Sequence, residues 1–437
     1  MVESSSSLSS VSATGLDVRP FRALTYRQQD PEHLARVSSP AYDLVTPAGR
    51  DRLAGADPHN VVRLILPVPD SHPGATGDPA GRSAELAATT LRRWQDEGVL
   101  VRDQEPALWL YELRPGGGGS ATAGWLGAVT LPPPGSSAVL PHEDTYPAAV
   151  EGRRALLAAT GTDLEPIVLA HDPDREVAGV TEVVRQGPPT MTVDDADGVG
   201  HRLWRVTERP MLDRLTAAFA RTGAVIADGH HRFAAARANG RTRDTRASGG
   251  SVLALVTPMG PGGLRVDPIH RVVPDLDLDA AVRAAATGFR VSELSTDDGR
   301  GIPDAVDRWV TDPGERDFLV SDGARLIRLS HPSDAVLAAV PSEAPPAWRG
   351  LDVVLAHHGL LDLLWHRRDD PDSVLIAHSA EEALRLATER AGVALLLRAP
   401  SPRDVAAVAR AGARMPRKST LFVPKPRTGL VLRPLAD

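Results

Sequence analysis

The segment VIADGHHRFAAARANG, from Val225 to Gly240, constrains the fold more than any other stretch of the chain. An apolar run ending at Ala227 gives way to Asp228 and Gly229, and an alanine-rich run begins at Phe233. β-Branched and apolar residues favour a buried strand, glycine permits a tight turn, and alanine favours helix. The segment is therefore read as a strand, a turn and a helix start, with Gly229 nearest to whatever binds there. Asp228, His230, His231 and Arg232 at such a turn fit four chemistries: a metal site, an anion site, a proton relay or a redox loop.

Elsewhere the pattern alternates without a strict βαβ rhythm, so the fold class expected is α+β. Strands are expected at Val61 to Pro67, Ala107 to Arg114, Trp125 to Leu131, Pro166 to Asp172, His201 to Val206 and Ser251 to Pro258. Helical spacing is found at Arg82 to Gly98, Arg153 to Thr160, Met211 to Thr222, Asp277 to Phe289, Leu351 to Arg367 and Arg403 to Gly412. Short polar insertions sit beside these elements. They present Tyr42 and Asp43 (SPAYDLVTP), His142 and Glu143 (PHEDTYP), and His270 and Arg271 (DPIHRVVP). Loops on a rigid scaffold are where binding residues gather, so these pairs are expected to converge on Arg232.

Two features of composition narrow the chemistry. The chain has 437 residues and no cysteine, which removes disulfides, thiolate metal sites and thiol nucleophiles. Its only lysines are Lys418 and Lys425, both within MPRKSTLFVPKP. An ammonium suits phosphate neutralisation where a guanidinium fork would not fit. Prolines restrict φ, so this segment is read as an extended, ordered loop anchored by Leu421, Phe422 and Val423. Lys418, Ser419 and Thr420 would then face a pocket, with Lys418 mattering more than Lys425. The net charge of −7 argues against nucleic acid as a partner, and no apolar run reaches the roughly 18 residues that span a bilayer. The amino-terminal segment lacks the pattern of a secretory signal, so a cytoplasmic location is expected. A homodimer is compatible with all of this.

Adjacent helical residues point about 100° apart, so His230 and His231 are poorly placed to share one metal ion. An anion site fits better. The first turn of a helix carries unpaired amide donors and positive dipole, Gly229 allows close approach, and Arg232 could grip two phosphate oxygens. Asp228 reads either as a helix cap or as a ligand for magnesium or a substrate proton. No Walker motif, Gly-x-Ser-x-Gly elbow or protein-kinase His-Arg-Asp loop is present.

Seven segments in order, FRALTYRQ, SPAYDLVTP, NVVRLILP, PHEDTYP, IADGHHRFAAA, DPIHRVVP and MPRKSTLFVPKPRTGL, identify a resemblance to the domain-of-unknown-function 1015 family. It runs from about Phe21 to Leu430. Ala41 departs from the Pro-Pro-Tyr-Asp usual in that family, and Phe233 from the tyrosine that commonly follows His-His-Arg. The organisation expected is a disordered serine-rich tail over 1–17, a core over 18–275 carrying the Asp-Gly-His-His-Arg motif, and a C-terminal α/β portion over 276–437 that returns the MPRKST loop to the site.

The Asp-Gly-His-His-Arg turn is also similar to the Asp-Gly-His-Thr-Arg type turn of free-serine kinases with a ParB/sulfiredoxin-like fold. Sulfiredoxins use a cysteine where this chain has His230, so redox chemistry is excluded. The resemblance implies a nucleotide-dependent kinase acting on the hydroxyl of a small metabolite such as serine, with ATP or ADP and Mg²⁺. Gly229, His230, His231, Arg232, Ser419 and Thr420 would hold phosphates, and Lys418 would neutralise charge on the transferred group. Glu143 or Asp43 would be the base, Asp228 would orient metal or acceptor, and Tyr42, His142, His270 and Arg271 would contact substrate. Two rivals use the same residues: a ParB-like nucleotide switch, and a metal-dependent hydrolase of a phosphorylated metabolite.

Overall fold

The computed structural model describes residues 15–69, 79–116, 119–196, 198–242, 250–260, 262–295, 301–312, 316–368, 370 and 373–436. Residues 1–14 of the expected tail lie outside them, as do most of the loop expected at 68–81 and the middle of the four-glycine loop. The architecture is mixed α/β. Two compact units are formed, one by Met1–Leu264 with Pro424–Asp437, the other by Arg265–Val423. Among the described residues, no helix is long and apolar enough to cross a membrane.

The first unit is built on a nine-stranded sheet. Its order is Val139–Leu140, Ala224–Asp228, Ile167–His171, Ser251–Pro258, Thr122–Thr130, Leu108–Arg114, Gly200–Val206 and Met191–Asp194, with Val18–Arg19 also pairing to Thr122–Thr130. Pairing is parallel between Ala224–Asp228 and Val139–Leu140, and between Ser251–Pro258 and Ile167–His171. The central strands are buried on both faces, which explains their nearly continuous apolar runs. Successive side chains alternate between two cores. Leu108 and Leu110 join Trp125, Phe219 and Ile226 on one side. Trp109, Tyr111 and Leu113 join Phe21, Trp94 and Leu255 on the other.

One expected strand is a helix. VVRLILP forms a short helix over Val62–Ile65, with Val62, Leu64 and Ile65 buried. Asn60 decides the outcome: its Oδ1 accepts the Val62 N–H at 2.9 Å and its Nδ2 donates to the Arg36 and Ser38 carbonyls. A short apolar run carries no periodicity that separates strand from buried helix, and here the Asn60 side chain takes the first N–H of the helix.

The second unit has a six-stranded antiparallel sheet in the order Arg290–Glu293, Leu326–Ser330, Phe318–Ser321, Val393–Leu396, His270–Val273 and Leu375–Ala377. The unit boundary falls at Leu264, before the 275 expected from sequence, because His270–Val273 is a strand of this sheet. Arg265–Asp267 pairs antiparallel with Leu421–Val423, so the segments that enter and leave the unit run side by side. The helix expected at Leu351 to Arg367 begins as Asp352–Leu355 and continues as a π-helix over Ala356–Leu364.

The chain then re-enters the first unit. Ser39 and Thr428 exchange backbone hydrogen bonds at 3.1 and 2.8 Å, as do Leu24 and Leu432 at 2.9 and 3.0 Å. Arg433 is buried against Asp163, with Nε to Oδ2 at 2.8 Å and side chains 5% and 6% exposed. Removing one member of such a pair leaves an uncompensated buried charge, at a cost of about 3–5 kcal/mol. Arg433→Met is therefore expected to lower the urea midpoint of the first unit by a corresponding amount, read by circular dichroism and tryptophan fluorescence. An unchanged midpoint would show that the closing segment does not hold the unit together.

Candidate functional site

The strand Ala224–Asp228 ends at Asp228 and the helix His230–Thr242 starts two residues later. Gly229 between them has φ +92°, a conformation that L side chains rarely adopt. A Cβ at this position would also come within 2.7 Å of Ile167 Cγ2. Glycine is thus required by both backbone and packing.

Asp228 is shared by two cations. Arg232 Nη2 donates to its Oδ2 at 2.5 Å, and Lys425 Nζ lies 2.7 Å from its Oδ1. The same ammonium donates to Asp43 Oδ2. Burial raises the Asp228 pKa, but Arg232, Lys425 and His230 outweigh it and hold the carboxyl below its ordinary value. Burial lowers the Lys425 pKa, and Asp228 and Asp43 outweigh it, so the amine stays an ammonium. Arg232 Nη1 donates to the Pro166 carbonyl at 2.5 Å. Both terminal nitrogens of Arg232 therefore brace the protein rather than stand open for a bidentate phosphate contact.

The two motif histidines act as struts. His230 Nε2 accepts the His142 N–H at 3.3 Å, and His231 Nε2 accepts the Tyr146 N–H at 3.1 Å. The rings of His142 and His230 meet edge to face at 4.6 Å, and Tyr146 stacks on His231 at 5.9 Å. Glu143 lies 3.9 Å from His142 Nε2 and 4.0 Å from His230 Nδ1. With Nε2 turned to the His142 N–H, Nδ1 of His230 lies on the side of Glu143.

Tyr42 sits beside the same turn. Its ring lies 3.6 Å from Arg153 Cζ and 5.6 Å from Arg232 Cζ, and its N–H donates to Glu165 Oε1 at 3.1 Å. Four of the residues expected to converge, Tyr42, Asp43, His142 and Glu143, thus meet at the Asp-Gly-His-His-Arg turn. Lys425 meets it as well.

His270, Arg271, Lys418, Ser419 and Thr420 belong to the second unit. There His270 Nδ1 accepts the Leu397 N–H at 3.2 Å, and burial together with Arg271 pushes its pKa down to about 4. Arg271 is fully buried and donates to the Arg417 carbonyl at 2.8 Å. Lys418 has φ +49°, the buried Ser419 donates to the Pro416 carbonyl at 2.7 Å, and Thr420 directly precedes the strand Leu421–Val423.

The sequence pattern of a family described as proteins of unknown function, DUF1015, matches residues 18–354. The chain is a DUF1015 protein. No curated protein sequence matches it. Among solved structures, this DUF1015 protein is similar to a free serine kinase in complex with AMP, at 14% identity and TM-score 0.31, covering 65% of this chain and 84% of that one. It is similar to SbnI with C-terminal truncation from Staphylococcus aureus, at 12% identity and TM-score 0.37, covering 71% and 88%. A conserved hypothetical protein from Pyrococcus furiosus matches at 15% identity and TM-score 0.30, covering 65% and 87%.

Asp228 does not fit the expected role of a resident metal ligand in this DUF1015 protein. Its two oxygens are taken by a guanidinium and an ammonium, and a divalent cation would have to displace one of them. No group of three or more His, Asp or Glu suited to a metal occurs among the described residues. Two site residues carry no signal in the sequence: Glu165 stands alone before the strand Ile167–His171, and Arg153 occupies an ordinary helix. Contrary to the expected ranking of the two lysines, it is Lys425 that reaches Asp228.

The strut geometry makes a prediction for amide exchange. His231→Ala should lower the amide protection factor at Tyr146 about five- to tenfold, as for a hydrogen bond worth roughly 1 kcal/mol. Amides of the strand Ala224–Asp228 should keep theirs. Unchanged protection at Tyr146 would reject the strut assignment.

Proposed function

We propose that the protein is a nucleotide-dependent phosphotransferase with a ParB/sulfiredoxin-like core, acting on the hydroxyl of a small metabolite such as free serine. The observation that supports this most is the Lys425 ammonium, held between Asp43 and Asp228 beside a glycine turn that opens a helix. Helix starts offer amide donors and positive dipole to an anion. Lys425 adds a full charge whose position is fixed in advance. Phosphoryl transfer asks chiefly for such positioning and charge neutralisation.

In this reading Gly229 and the first turn of the helix hold the donor's phosphates, and Lys425 neutralises charge on the transferred group. Asp228 and Arg232 position Lys425. Glu143, beside His142 and His230, takes the acceptor's proton as the acceptor oxygen bonds to phosphorus. The bond from phosphorus to the bridging oxygen breaks, and the shortened nucleotide leaves. Mg²⁺ arrives with ATP or ADP as part of that substrate.

Incubation with ATP, ADP or CTP, with and without serine, tests the reading. Phosphoserine is the expected product. Free phosphate alone would favour the hydrolase, and tight nucleotide binding without turnover the switch. Lys425→Met should lower kcat about 10²-fold, the loss of one preorganised charge donor, with the fold retained by circular dichroism. Lys418→Met is the matched comparison and should cost less; a larger loss there would move the ammonium role to Lys418.

A further inference from the structure

Behind the turn lies a cavity of about 40 Å³, between the helix Pro147–Thr160, the segment Thr162 to Glu165 and the helix His230–Thr242. That volume has room for about three water-sized groups. Leu156, Leu157 and Val252 give it apolar walls. Three polar groups on its lining have unspent hydrogen-bonding capacity. Arg153 donates only from Nη1, to the Ile65 carbonyl at 3.2 Å, and among the described residues no carboxylate pairs with it. Glu165 is 6% exposed, and its Oε1 accepts from Tyr42 N and from Thr428 Oγ1 at 3.1 and 3.0 Å. Its Oε2 makes no hydrogen bond among the described residues. Arg232 Nε is buried and has no partner there either.

Asp163 also lines the cavity, but its Oδ2 already accepts the Leu253 N–H and Arg433 Nε. The cavity therefore offers guanidinium donors and one carboxylate oxygen, within an otherwise apolar wall. An anion would use the donors and leave Glu165 Oε2 uncompensated. A cation would do the reverse to Arg153. A ligand carrying both charges satisfies both, and it buries no net charge.

We propose that this cavity recognises a small zwitterion, an α-amino acid whose carboxylate is held by Arg153 and Arg232 Nε and whose ammonium is held by Glu165 Oε2. This rests on the phosphotransfer reading, for which it supplies the acceptor subsite. Arg153 and Glu165 are then specificity-determining residues that read the two ends of the acceptor. The small volume restricts the ligand to a short side chain.

Calorimetric titration of the full-length protein with L-serine, L-serine amide and 3-hydroxypropanoate tests this, without nucleotide and with ADP present. Serine amide lacks the carboxylate and 3-hydroxypropanoate the ammonium. L-Serine should bind at least tenfold tighter than either. Arg153→Met should abolish the preference over the amide, and Glu165→Gln the preference over 3-hydroxypropanoate. Both variants should keep ADP affinity within about twofold, since neither residue contacts phosphate. Equal binding of all three ligands by the wild-type protein, or no binding of serine, overturns the proposal whatever the variants do. Serine binding without phosphoryl transfer would overturn the phosphotransfer reading and leave the zwitterion site standing. Transfer to 3-hydroxypropanoate as fast as to serine would do the opposite.

Discussion

A single carboxylate holds the site together. Asp228 takes Arg232 on one oxygen and Lys425 on the other, and Lys425 is shared onward with Asp43. Taking a carboxylate out of water costs several kcal/mol, repaid only by close and complete pairing. Here both oxygens are paired, and the opposing charges keep Asp228, Arg232 and Lys425 in their charged forms. Such a network contributes little net stability, but it penalises any arrangement that leaves one member alone. It therefore fixes the position of an ammonium beside the glycine turn.

That network joins residues from three distant parts of the first unit, and the closing segment of the chain is the last to arrive. Lys425, Thr428 and Arg433 reach Asp228, Glu165 and Asp163 respectively. Each of these acids lies on or beside the sheet strands. The site is therefore complete only when the chain returns from the second unit. The pairing of Arg265–Asp267 with Leu421–Val423 gives that return a defined point of departure. Gly429 has φ +97° with a Val61 methyl 2.9 Å from where its Cβ would be. The returning strand is thus threaded against the short helix that the apolar pattern alone reads as a strand.

Much of the site was legible because backbone chemistry is local. Asp-Gly between an apolar run and an alanine run can only be a strand, a turn and a helix, and Gly229 is placed as that predicts. SPAYDLVTP and PHEDTYP could be recognised as presenting loops because prolines bound them and polar residues interrupt apolar neighbours. What was hidden depends on tertiary paths. Nothing in MPRKSTLFVPKP says that the unit boundary falls between Val423 and Pro424, so the choice between Lys418 and Lys425 could not be made from spacing. Glu165 and Arg153 carry no motif; only folding sets an isolated acid and an isolated base across one cavity. The helix at Val62–Ile65 was hidden for another reason, since the Asn60 side chain that takes its first N–H is held by the distant carbonyls of Arg36 and Ser38.

The paired histidines show how one geometric fact cuts two ways. Neighbouring residues on a helix diverge by about 100°, which makes His230 and His231 poor joint ligands for one ion. The same divergence lets them reach two separate points on one loop. They hold the N–H groups of His142 and Tyr146, the two ends of a segment that contains Glu143. A single histidine would fix one end and leave the carboxylate to swing. Two fix the segment at both ends. The histidines thus hold Glu143 beside the turn that carries Arg232 and Lys425.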